Sequence, residues 1–179
     1  MEKLNKKGNA YIILMLVGLM FLLIFLAFIV IIGSSIINLV ADEVVPEISD
    51  LGMIGASNLT EYSEYSIDPA NNFIQNLTWM TGIFFVFGIV GILGIAFIFK
   101  STGETWMIGL FVGLVLLLVI SCIFLSNIYE EFYDGDDDIA LRLKEHTLLS
   151  YMILYSPAIM VIIAFLSGII LFSGQQEGF

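Results

Sequence analysis

The sequence predicts an all-α polytopic membrane protein whose four transmembrane helices pack as a bundle. Three observations carry that expectation. The chain of 179 residues is 59% hydrophobic and only 13% charged, with a mean hydropathy of +1.01, whereas a soluble domain has roughly a quarter of its residues charged. The apolar residues are gathered into four uncharged runs, each longer than the ~20 residues that cross a ~30 Å hydrocarbon core. None of these runs alternates every second residue, as the strands of a membrane barrel must. The same hydropathy excludes a disordered chain, which is poor in apolar side chains.

Residues 1–9 form a polar tail holding Lys3, Lys6 and Lys7. The first run, Ala10 to Val40, has 31 residues. As a helix it measures about 46 Å, longer than a bilayer core. Its last third holds Ser34, Ser35 and Asn38, so that part is expected to leave the lipid. Residues 41–76 read as an acidic outer loop. Pro46 marks a break, since proline removes a donor and clashes with the preceding turn. Val44, Ile48 and Leu51 keep helical spacing on either side of it, which predicts a short amphipathic segment beside the membrane, and Asp68-Pro69-Ala70-Asn71 gives a turn signal. Leu77–Phe99 supplies a second span, Trp106–Tyr129 a third, and Thr147–Phe172 a fourth. A short turn at 100–105 and a second acidic outer loop at 130–146 join them, all within a single membrane domain spanning 1–179. No residue pattern repeats between the two halves.

Orientation follows from Lys and Arg. Lys3, Lys6, Lys7 and Lys100 fall on one side of a four-span chain, and Arg142 and Lys144 on the other. Both termini are therefore expected in the cytoplasm, with loops 41–76 and 130–146 outside. Tyr11 and Trp106 at inner ends, and Trp79 and Tyr129 at outer ends, occupy the interfacial positions such rings prefer. The formal net charge of −11 is almost wholly a property of the outer segments, which carry 14 acids and two bases. This balance opposes binding to nucleic acid, where cations neutralise phosphate, and docking on an anionic lipid surface.

Small residues recur in the middle spans: Gly88, Gly91 and Gly94 in the second, and Gly109 and Gly113 as a GxxxG in the third. Such residues let helix backbones approach where no hydrophobic drive exists between helices in lipid. Spans two and three are expected to pack through them, against each other or against a partner. Pro157 is expected to kink the fourth span, with Ser156 satisfying part of the lost bonding.

Asp134, Asp136 and Asp138, with Glu145 eleven residues after the first, match the acid spacing of a calcium loop. They are the candidate metal ligands, with Ca²⁺ the candidate ion, although Ile139 replaces the glycine expected at the sixth position. His146 is the only histidine, so no zinc set forms around it. Cys122 stands alone in an apolar run, which excludes an intrachain disulfide and points to an inert buried thiol. Asn58-Leu59-Thr60 and Asn76-Leu77-Thr78 are glycosylation sequons, of which Asn58 lies far enough from the membrane to be an acceptor.

Lys6-Lys7-Gly8-Asn9-Ala10, followed directly by Tyr11-Ile12-Ile13-Leu14, resembles the prepilin-type signal of archaeal type IV pilin-like proteins. The resemblance covers about 30 residues. It implies cleavage after Gly8 by a membrane peptidase and packing of the following helix into a filament core. That family carries one membrane helix, and the three further spans here depart from it.

No Asp, Glu, Lys, Arg or His lies inside any of the four runs, whereas ion paths, proton relays and voltage sensors are built on such residues. No nucleophile has a base beside it, and no phosphate loop is present, so enzymatic chemistry is not expected. The function expected is structural. The chain reads as an accessory subunit or scaffold of a larger membrane assembly, cellular or in a viral envelope, held by lipid, by other subunits or by its own copies. A holin-like oligomeric pore is the alternative, lined by Ser121, Ser126, Asn127, Ser150, Ser156 and Ser167.

Overall fold

A computed structural model describes residues 6–54, 57–100 and 105–173. These residues are helical except for short joints: α1 (Lys6–Asp50), α2 (Leu59–Ile98), α3 (Thr105–Tyr133), α4 (Asp138–Glu145), α5 (Thr147–Leu154) and α6 (Ser156–Phe172). Two-residue strands β1 (Met53–Ile54) and β2 (Ser57–Asn58) pair antiparallel at the α1–α2 turn, Met53 opposite Asn58. Three helices are long and apolar enough to cross a membrane, or four if the bent pair α5–α6 counts as one span.

The acidic segment 41–76 is not the loop that its prolines suggested. α1 runs through Pro46 to Asp50, and α2 runs through Pro69 from Leu59. Proline removes one i→i−4 bond, but Pro46 and Asp42 are both exposed, so water can satisfy the freed carbonyl. Helix α2 begins on a capping pair the sequence carries in full. Asn58 is the N-cap, its side-chain oxygen accepting from the Glu61 N–H at 3.5 Å, and Glu61 lies in the first turn. Helix α1 ends two residues before Gly52, whose φ of +60° turns the chain in the left-handed region that side chains disfavour. The 45 residues of α1 and 40 of α2 measure about 67 and 60 Å. Each is about twice as long as a ~30 Å hydrocarbon core is thick, and the acidic end of the pair, within 41–50 and 59–76, forms a helical stalk.

Helices α1 and α2 pack along their length as an antiparallel pair, and α3 and α6 complete the bundle. Along α1 the buried positions Val17, Met20, Ile24, Ala27, Ile31, Ser34 and Asn38 alternate steps of three and four, the seam of a coiled-coil-like contact. Both α2 and α3 pack on α1 and on α6, but α2 and α3 share no packed interface among the described residues. Among the described residues spans two and three thus do not form the mutual packing interface that was one of the two expectations for their glycines: they lie diagonally across the bundle, with α1 and α6 between them, and packing against a partner is left open.

The fourth span is also not one helix. Helices α5 and α6 meet at Tyr155 with a bend of 70°. Pro157 occupies the first turn of α6, where its missing N–H costs nothing within that helix. The Leu154 carbonyl at the bend accepts a 2.6 Å bond from Ser126 Oγ of α3, a cross-helix repair of the kind broken membrane helices require.

Candidate functional site

The chemistry of the chain concentrates where the stalk leaves the bundle. Here α3 ends at Tyr133, a four-residue turn follows, and the short helix α4 returns across α1 and α3. The sequence of α4 explains its formation. Asp137 caps it, accepting from Ala140 N–H at 3.0 Å; Asp138 lies in the first turn, and Arg142 and Lys144 lie in the last. Both charge placements oppose the helix dipole. Ala140 and Leu143 form its buried face.

The candidate calcium set does not assemble. Asp134, Asp136 and Asp138 are exposed, and among the described residues no three Asp, Glu, His or Cys side chains gather around a common point. The physical reason is α4 itself. It separates Asp138 from Glu145 by seven residues, about 10 Å along the axis. Glu145 instead faces Arg142 at 3.9 Å, and Lys144 Nζ reaches the Gly135 carbonyl at 3.4 Å and the Tyr133 ring centroid at 5.8 Å. Of the alternating carboxylates only Asp138 enters the first turn of α4, and the cap beside it is Asp137, which lies outside the calcium spacing.

Two interactions lock α4 in place. Arg142 pairs with Asp42 of α1, tying the joint to the base of the stalk. Beneath it, fully buried Tyr129 of α3 holds Ser150 of α5 at 2.8 Å. Ser150 Oγ donates to the Leu143 carbonyl at 2.7 Å and lies 2.9 Å from the His146 carbonyl. Its hydrogen is thereby used, so Tyr129 is the donor to Ser150. Phe28 of α1 meets the Tyr129 ring edge-on at 6.4 Å. One hydroxyl network thus joins α3, α4 and α5. Nothing in the spacing of Tyr129, Ser150 and Leu143 announces it.

His146 is the joint residue, ending α4 and starting α5 without a side-chain cap for the latter. Its Nε2 is buried with no hydrogen-bond partner among the described residues. Burial holds the imidazole below its ordinary value of 6.5, and neighbouring Glu145 opposes this in part. The unfolded chain therefore binds a proton at a higher pH than the folded one, and stability falls as pH drops below about 6.5. A His146→Gln protein should show a flatter melting-temperature profile between pH 7.5 and 5.5 than the parent. An unchanged profile would assign the pH response to other groups.

Of the glycines, Gly88 alone among the five candidates meets a neighbour: a Cβ there would overlap Leu23 of α1. Gly91, Gly94, Gly109 and Gly113 have open space where a side chain would stand. Gly168 of α6, which no spacing in the sequence singles out, admits the Phe111 ring: a Cβ there would stand 2.9 Å from Phe111 Cε1. Four of the six candidate pore serines and asparagines, Ser126, Ser150, Ser156 and Ser167, are buried within the bundle. Ser121 bonds its own helix at Leu117 O, and Asn127 is exposed. Cys122 is buried and unpaired in a disulfide. Asn58 is exposed, with its oxygen engaged in the α2 cap. Residues 1–5 of the pilin-like signal lie outside the described residues, and the peptide after Gly8 lies within α1.

These features define an all-helical protein with three to four membrane-length helices, which associates it with a membrane. No protein-family model matches the chain, and no curated protein or solved structure matches it either.

Proposed function

We propose that the chain is a structural, accessory subunit of a larger membrane assembly, with both ends cytoplasmic and the acidic stalk and α4 outside. One observation carries this reading. The Gly109–Gly113 face of α3 is open, on the span that the molecule itself covers least, at 17% of its most apolar window against 33% for α1 and 28% for α2. A GxxxG face left uncovered in lipid is suited to a second helix. The distribution of lysines supports the orientation. The inward-facing serines support a packed bundle over a polar lumen.

Extraction in mild detergent followed by affinity purification should recover a stable complex. Gly113→Leu should abolish it and leave the melting temperature of the isolated chain within about 2 °C, since among the described residues nothing beyond its own helix lies within 4 Å of a Cβ there. Recovery of the parent protein only as a monomer would overturn the reading. Rapid escape of trapped dye from liposomes would replace it with a pore. Tyr65→Cys, on an exposed stalk position, should react with an impermeant thiol reagent in intact cells. Labelling only after lysis would reverse the orientation.

A further inference from the structure

The stalk carries an apolar seam that the molecule does not cover. On α1, Ile37, Val40 and Val44 are exposed, and Leu51, just past the helix end, is exposed as well. Their spacing of three, four and seven is that of alternate core positions in a coiled coil. The position missing from the series is Glu47, also exposed. Seam residues Val44 and Leu51 cannot lie in hydrocarbon, because Asp42, Glu43, Glu47 and Asp50 surround them along the helix and are exposed too. An apolar stripe in water, interrupted once by a charge, is a surface made to be covered.

The charge pattern selects what covers it. A second copy of this chain aligned in register would place Glu47 against Glu47 within the seam. It would also bring together two stalks that each hold seven acids in residues 41–76 and no base, since no Lys or Arg occurs between Lys7 and Lys100. Like charges buried at a core position oppose pairing, whereas a single complementary charge there fixes partner and register. We infer that the stalk seam binds an amphipathic helix of another protein, with apolar residues opposite Val44 and Leu51 and a lysine or arginine opposite Glu47. The inference rests on the subunit reading above and names the partner chemistry of its exposed end.

The test uses the full chain in lipid nanodiscs and two synthetic heptad-repeat peptides with leucine and isoleucine cores. They are identical except for Lys or Glu at the core position facing Glu47. The parent protein should bind the Lys peptide at least about tenfold more tightly than the Glu peptide by fluorescence anisotropy. Glu47→Lys, at an exposed position, should reverse that order. Val44→Ser combined with Leu51→Ser should weaken both peptides. Equal binding of polylysine by the parent and the double variant, at the strength of the Lys peptide, would reduce the seam to unspecific charge. Absence of any Lys-over-Glu preference, or efficient disulfide-linked homodimers of a Val44→Cys variant, would overturn the inference. None of these outcomes depends on Gly113, so the stalk can fail while the intramembrane contact stands, and the reverse.

Discussion

Ser150→Ala is expected to destabilise the protein by about 2–3 kcal/mol, and Tyr129→Phe added to it is expected to restore more than half of that loss. The asymmetry comes from what each change leaves behind. The Leu143 and His146 carbonyls keep backbone donors, His146 N–H and Ser150 N–H respectively, when the serine hydroxyl is removed. The Tyr129 hydroxyl does not, because its recorded partner is Ser150 and its residue is fully buried. A buried donor without an acceptor costs its full desolvation, whereas removing both members of the pair is close to neutral. Hydrogen bonds between membrane helices are often worth only ~0.6 kcal/mol. The larger value applies here because Tyr129 is fully buried, so its hydroxyl loses Ser150 without gaining water. Denaturation in mixed micelles gives the free energies. Hydrogen exchange over 138–145 should accelerate in Ser150→Ala, since α4 is then held chiefly by Arg142 and its two buried side chains. Additive losses in the double variant would show that the two hydroxyls do not act as a pair.

The three to four membrane-length segments are legible because a bilayer imposes a length and a composition that no other environment demands. What surrounds them is not. Pro46 predicts a break and Asp68-Pro69 a turn because proline is costly in a helix on average, yet its cost depends on whether the freed carbonyl meets water. Exposure at position 46 is a tertiary fact. The start of α2 at Asn58, with Glu61 three residues on, was visible as a capping pair and was overlooked beneath the turn signal at Asp68–Asn71. Asp137, Asp138, Arg142 and Lys144 likewise spell a short helix, but Asp138 also completes the calcium-like spacing with Asp134 and Asp136, and the two patterns compete. Spacing records which side chains can converge; only the backbone between them decides whether they do. The Arg142–Asp42 pair joins residues a hundred positions apart, and no local pattern foretells it.

The glycines show the same limit and give the second large effect. Gly88→Val is expected to cost about 2–3 kcal/mol or more, because its new side chain would overlap Leu23 where α1 and α2 press together. Gly91→Val, one turn further along the same helix but facing open space, should change stability by less than about 1 kcal/mol. Sequence alone ranks these two positions equally, as members of one small-residue series. The contrast separates loss of backbone approach from the general propensity cost of a β-branched residue, which both variants share. A compensating change settles the cause: Leu23→Ala should recover part of the loss in Gly88→Val by vacating the space the valine needs, although Leu23→Ala alone is destabilising. If the double variant is instead less stable than the sum of the two single losses predicts, the damage lies in the α2 backbone rather than in the α1–α2 contact.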